Sequence, residues 1–161
     1  MEETTKIRIP ENLNGQLMEV AYGCTCGRIR MASRAVTALF EETMRPAGIQ
    51  GASQFSLLCA ITLMGEVPIT RLAEVMLMDR TTVTRTLHSL EEAGWVQISP
   101  GTDRRVRMVA VTEAGREKLA YALPLWRQAQ EKIVAHLSPT RWAHLMEGLQ
   151  AAARIGPGAD R

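Results

Sequence analysis

Residues 78–115 read MDRTTVTRTLHSLEEAGWVQISPGTDRRVRMVAVTEAG. The order of parts is a polar-faced helix, a strand, an arginine-tipped turn, a second strand and a new helix start. Asp79 is placed to cap the first helix, because its carboxylate can accept from the free N–H groups of the first turn. Val83, Leu87 and Leu90 recur at helical spacing and form an apolar stripe. Thr81, Thr84, Arg85 and His88 fall on the other side. Ala93-Gly94 ends the helix, with Gly94 free to turn left-handed.

The outer face of this helix is unusual in its chemistry. A surface helix often carries Lys/Glu pairs, whereas this one carries short hydroxyls around an arginine. Threonine can bond phosphate or offer its methyl to thymine, and arginine can bridge O6 and N7 of guanine. Taken alone, the face fits a solvated threonine-rich surface equally well. The hairpin shifts the balance. Trp95–Ile98 and Val106–Val111 are short β-branched runs. The turn between them holds Pro100-Gly101 and then Asp103, Arg104 and Arg105. From Arg80 to Arg107 there are five arginines (80, 85, 104, 105, 107) against three acids (91, 92, 103). Such a tip beside a polar helix fits contact with a DNA backbone or minor groove. Asp103 would repel phosphate, so its expected task is to brace a wing arginine by a charge-assisted bond.

Upstream, residues 69–77 supply a supporting helix that Thr70 is placed to cap. Leu77-Met78-Asp79 forms the turn into the polar-faced helix, and Val67-Pro68-Ile69 fits a very short strand that joins the hairpin. Further out, residues 17–45 read as one long helix, with Ile29, Val36, Leu39 and Phe40 among its apolar positions. Residues 53–64 read as a short, buried apolar helix. Thr112 caps a long helix running to about His136, in which Pro124 predicts a kink or irregularity. Ser138-Pro139 opens the last helix. Residues 1–14 read as polar and irregular, and 156–161 as a frayed tail.

Composition bounds the function classes. A chain of 161 residues with 46% apolar and 22% charged residues is expected to be one globular unit. The net charge of +2 is too small to argue for nucleic acid by itself, so the local arginines carry that inference. Aromatics at 4% disfavour a single-strand binder that stacks bases. The sequence has no apolar run near the ~18 residues of a membrane span and no signal-peptide core, so a cytoplasmic protein is expected, without membrane association. It carries none of the HExxH, P-loop, GxSxG or GxGxxG motifs, and its three histidines are scattered, so neither an enzyme nor a bound metal or cofactor is expected. The remaining competitor is a winged helix that binds protein instead of DNA.

The stretch LAEVMLMDRTTVTRTLHSLEEAGWV from Leu72, the DRR at 103–105 and VAVTEAG at 109–115 resemble the MarR family of winged helix-turn-helix transcriptional regulators. The likeness extends upstream through LFEETMRPAGIQGASQFSLLCAI and loosely downstream to about residue 154. It implies a mainly α fold with a small β-hairpin wing, a DNA-binding lobe at 52–112, and dimerisation helices at 15–46 and 113–155. Thr70, Arg80, Thr81, Thr82, Thr84, Arg85, His88, Arg104 and Arg105 become the expected DNA-binding residues, with Asp103 as wing brace. The implied partners are double-stranded DNA and a second copy of the chain. A homodimer would set two recognition helices about 34–36 Å apart on a pseudo-palindrome.

The family's logic also implies an effector, either a small aromatic molecule or an oxidant. Cys24, Cys26 and Arg30 are the candidates for that site, with Arg34 as a further carboxylate partner. Side chains two residues apart on one helix diverge by about 200°, so a bond between Cys24 and Cys26 is not expected. Arg28 and Arg30 each lie one turn beyond a cysteine, where a guanidinium would favour the thiolate. The family's hydroperoxide-sensing branch has tyrosine hydroxyls around its cysteine; here Phe40 and the 51–52 region stand instead. Cys59, in an apolar run, is expected to be a small hydrophobe.

Overall fold

A computed structural model describes residues 11–155. The chain groups into two compact units, Met1–Val36 and Thr37–Arg161. The first holds α1 (Glu11–Gly23) and the start of α2 (Thr25–Met44). The single long helix expected from residue 17 is therefore interrupted, and residues 11–14, expected to be irregular, are helical. The rest of the expected irregular N-terminus and the expected frayed C-terminal tail lie outside the described residues.

The break has a local cause. Glycines at 23 and 27 flank Cys24 and weaken the helix by about 1 kcal/mol each relative to alanine. Cys24 then acts as a cap, its Sγ accepting the Gly27 N–H at 3.4 Å. The backbone ladder nearly continues, with Cys24 N–H on Val20 O at 3.1 Å and Arg28 N–H on Cys24 O at 3.0 Å. The Arg28 guanidinium donates to the Tyr22 carbonyl at 3.4 Å, so it answers an acceptor left by the break.

The second unit continues through a 3-10 turn (Arg45–Ala47), α3 (Gly51–Met64), β1 (Val67–Pro68), α4 (Ile69–Val75), α5 (Arg80–Glu92), β2 (Val96–Pro100), β3 (Arg107–Val111), α6 (Glu113–Leu137) and α7 (Pro139–Ala153). The sheet order is β1-β3-β2, antiparallel throughout. Val67 faces Val109, which faces Ile98, so the two-residue β1 does join the hairpin. The main core gathers Leu57, Leu58 and Ile61 of α3, Leu72 of α4, and Val83, Leu87 and Leu90 of α5 under Val96 and Val109 of the sheet. A second cluster sets Met44, Ala47, Ile49 and Ala122 against Phe40, Leu125 and Trp126. Phe55 and Trp95 pack on both clusters.

Several expected details differ. Thr70 does not cap α4; Pro68 occupies the cap position, no side chain bonds the first turn, and Thr70 is exposed. The proline already supplies the extended entry that a threonine cap would have supplied. Helix α6 runs unbroken through Pro124. The carbonyl that loses its partner there belongs to exposed Ala120, within reach of solvent. Ser138 opens α7 with a positive φ of 72° and no side-chain cap. Helix α3 buries only one side, and Leu63 is 87% exposed.

The junction between wing and α6 is the tightest point. The Thr112 N–H donates to Trp95 O at 3.0 Å, and its hydroxyl donates to Gly94 O at 2.7 Å while accepting the Gly115 N–H at 3.0 Å. A Cβ on Gly115 would stand 2.0 Å from Trp95 O and 2.7 Å from Val111 Cγ2. Backbone cannot yield as a flexible side chain does. Gly115→Ala should therefore lower stability by about 1–3 kcal/mol, the range for forced overpacking. In urea unfolding the midpoint should drop with the slope unchanged; an unaltered midpoint would contradict this packing.

Candidate nucleic-acid interface

Helix α5 starts as its sequence requires. Asp79 Oδ1 accepts the Thr82 N–H at 2.8 Å and Oδ2 accepts the Thr82 hydroxyl at 2.5 Å. The Thr82 hydroxyl and N–H, with a smaller contribution from Arg85, hold the Asp79 carboxyl below its ordinary range. The helix ends at Ala93 and Gly94, whose φ is 74°. Val83, Leu87 and Leu90 anchor its inner side in the core.

The outer side lines an open groove against the start of the wing. Arg80, Thr81, Thr84, Arg85 and His88 meet there, together with Glu91 and Ile98. The structure thus unites these expected residues but sorts the threonines by role. The Thr84 hydroxyl donates to Arg80 O at 2.7 Å, so its proton is spent within the helix. Thr82 is half-buried and committed to the cap. Thr81 is exposed and has no internal side-chain bond among the described residues. His88 Nε2 lies 3.4 Å from Glu92 Oε1, an exposed pair. Thr70 lies on α4, and Arg104 and Arg105 at the wing tip; none of the three lines this groove.

Asp103 braces the wing, but not through an arginine side chain. Its Oδ1 accepts the backbone N–H of Arg105 at 2.9 Å, and its carbonyl accepts that of Val106 at 2.8 Å. A short carboxylate reaches the N–H two residues on more readily than a guanidinium that must fold back over the loop. Gly101 N–H donates to Val106 O at 2.8 Å and closes the tip. Arg104, Arg105 and Arg107 are exposed, and no ion pair engages them among the described residues.

Two contributors escaped the sequence reading. Glu91 Oε1 accepts the Ile98 N–H at 3.2 Å and ties the end of α5 to β2. Gln54 Nε2 donates to Ser89 Oγ at 2.9 Å from behind the helix. Glu91 looks like an ordinary solvated acid, and Gln54 is one polar letter in an apolar run. Nothing local in the sequence separates either from its neighbours.

Around the candidate effector residues, Cys26, Arg30 and Arg34 are exposed and Cys24 is half-buried; all three cysteines are free. Arg28 does not serve the Cys24 thiol as expected, since its guanidinium is engaged on Tyr22 O. Burial pushes the Cys59 thiol up, in keeping with an unreactive packing residue. Among the described residues no cluster of His, Cys, Asp and Glu could hold a metal ion, and no single helix is long and apolar enough to cross a membrane.

A short supporting helix, a second helix whose arginine–threonine side is open, and a wing with free arginines at its tip define a winged helix-turn-helix protein of the DNA-binding class. Comparison with known proteins narrows this. The sequence profile of the MarR family matches residues 52–106. An uncharacterized HTH-type transcriptional regulator of Bacillus subtilis, YwoH, is 31% identical over 91 residues, covering 56% of this chain and 66% of that relative, just under two thirds of its length. The Mycobacterium tuberculosis transcriptional regulator MosR, crystallised with DNA, superposes with a TM-score of 0.71 at 32% identity, over 82% of this chain and 97% of that one. A mutant of Escherichia coli MarR, crystallised with operator DNA, has a TM-score of 0.75 at 24% identity, over 83% and 96% of the two chains, and shares the fold. The chain belongs to the MarR family of DNA-binding transcriptional regulators.

The cap makes a pH-dependent contribution to stability. Asp79 has a folded-state pKa below its unfolded value, so its stabilisation is present above the ordinary aspartate pKa of about 3.9 and is lost as pH falls through the folded value. Asp79→Ala should unfold at lower urea than the wild type at pH 7, with the gap narrowing as pH drops below about 4. A gap of constant size across that range would show that the carboxylate charge plays no part.

Proposed function

We propose that the protein is a transcriptional repressor that binds a pseudo-palindromic operator as a homodimer and leaves it when an effector acts. The observation that carries this reading is the groove that gathers Arg80, Thr81, Thr84, Arg85 and His88 on the open side of α5. A helix of this kind fits the major groove, where Arg85 would meet a guanine edge and the Thr84 methyl a thymine. Arg104 and Arg105 would serve the neighbouring minor groove or its walls, where potential is most negative. Arg80 and Thr81 would contact phosphates or bases beside the cap, with Thr82 contributing through its position in the first turn and Thr70 from the supporting helix. The 32% identity to MosR, which was crystallised with DNA, supports the reading.

The dimer rests on uncovered apolar surface. On α1, Leu13, Leu17, Met18, Val20 and Tyr22 are exposed. Helix α7 buries no residue in its own subunit although Leu145, Met146 and Leu149 lie along it. A surface of this kind favours association. Occlusion of a promoter by the bound dimer gives repression directly. The effector is a small aromatic molecule or an oxidant acting at Cys24, Cys26 and Arg30.

Selection of bound duplexes from a random library tests the function. The expected return is one palindrome with half-sites about one helical turn apart, bound with a steep salt dependence by a species that scatters light as a dimer. Recovery of no preferred duplex would leave a protein-binding winged helix. Arg85→Ala should lose about 1–3 kcal/mol on the selected duplex and relax one base preference; an equal loss on every sequence would reassign it to phosphate. For the oxidant route, Cys26→Ser should retain DNA binding after an organic hydroperoxide treatment that releases the wild type. Release of both alike would remove Cys26 from the mechanism.

A further inference from the structure

Helix α5, the recognition helix of the function proposed above, is held from behind by a polar chain that its groove does not account for. Lys118 of α6 donates through Nζ to the Ala47 carbonyl at 3.0 Å and lies 5.0 Å from the centre of the Trp95 ring. Ala47 is buried in the 3-10 turn, and the chain reverses just after it through Gly48, at φ 66°. Two residues further on, the Gln50 N–H donates to Gln54 Oε1 at 2.7 Å. The other end of that amide, Nε2, donates to Ser89 Oγ on α5 at 2.9 Å. Bonded links therefore run from α6, through the turn at 45–50 and the first part of α3, to the middle of the recognition helix.

Gln54 is the informative member. It is only 7% exposed, and Leu57 and Leu58 follow it within the core. A buried amide is costly unless both of its ends are satisfied, and an apolar side chain of similar volume would fill the space without that cost. Here both ends are satisfied, one on each side of the gap between the turn and α5. Apolar contacts tolerate sliding, whereas hydrogen bonds weaken steeply with misalignment. The chain thus fixes an angle as well as a distance. At its far end the Lys118 ammonium clamps the ring that opens the wing, so wing and helix are indexed to the same point of α6.

We propose that Lys118, Gln54 and Ser89 form one strut that sets the recognition helix against α6, making Lys118 and Gln54 positioning residues for DNA binding. The strut rests on the DNA-binding reading above. In that role it touches no DNA, and it acts on affinity for the cognate site, where registry matters, more than on attraction to any duplex.

A double-mutant cycle tests it on the full-length protein. The duplex returned by selection and a scrambled duplex of equal length are titrated at one salt concentration. Lys118→Met and Gln54→Met should each weaken cognate binding about 3–20-fold. The scrambled duplex should change by less than about twofold, and the double variant should bind no worse than the weaker single, because one strut is broken only once. Lys118→Arg, which keeps the donor and the cation over Trp95, should restore cognate affinity. Singles that bind like the wild type overturn the proposal, and so do losses that multiply in the double variant. Should Gln54→Met fail to fold by circular dichroism, Ser89→Ala replaces it in the cycle, with the same outcomes deciding. A wild type that prefers no duplex overturns the DNA-binding reading itself, before any variant is compared.

Discussion

The close approach of Gly115 to the Trp95 carbonyl is the constraint on which the arrangement of the second unit depends. It brings the first turn of α6 onto the start of the wing at a distance no side chain would permit. Thr112 then bonds both Gly94 and Trp95, the residues that link the end of α5 to β2. Helix α5, the wing and α6 therefore meet within a few residues and share the same backbone groups. The Trp95 ring, reaching both apolar clusters, adds a packed contact to that bonded one.

From this joint the rest of the interface follows by short steps. The Trp95 N–H continues the end of α5 by donating to Leu90 O at 2.9 Å. Glu91 holds Ile98, the middle residue of β2, from the same helix end. The wing runs outward along a five-pair register with β3 and closes on backbone bonds at 101–106. Among the described residues, the side chains of Arg80, Thr81 and Arg85 on α5 and of Arg104, Arg105 and Arg107 on the wing make no hydrogen bond or ion pair within the protein, while Asp79, Glu91 and Asp103 hold its backbone. That division suits the DNA-binding role proposed above, since a group engaged within the protein is not available to a ligand.

Much of this was legible in the sequence because the signals were local. The Asp79 cap, the left-handed Gly94, the Thr112 cap and the 83–87–90 stripe are each set by a few neighbouring residues, and the structure has them all. The misreadings occurred where two local signals competed or where the partner lay far along the chain. The run from residue 17 looks continuously helical in its apolar pattern, yet two glycines and a sulfur cap interrupt it at Cys24. Thr70 has the chemistry of a cap, but Pro68 had already defined the helix entry. The charge of Asp103 points to an arginine side chain, but the nearby Arg105 N–H takes its carboxylate by proximity. Gln54 and Lys118 act across sequence separations of 35 and 71 residues, which no periodicity reveals.

The spending of hydroxyl donors inside α5 has one more consequence. Thr82 serves the cap and Thr84 returns its proton to Arg80 O, so the first turns of α5 are secured by bonds that use none of the Arg80, Thr81, Arg85 or His88 side chains. Arg80, Thr81, Arg85 and His88 can then be exchanged at small cost to folding, since exposed substitutions away from caps and core change stability little. Under the function proposed above, drift at those four positions would alter what is read while leaving the fold intact. The scaffold is therefore suited to divergence after duplication: copies can acquire new targets without first acquiring new stability.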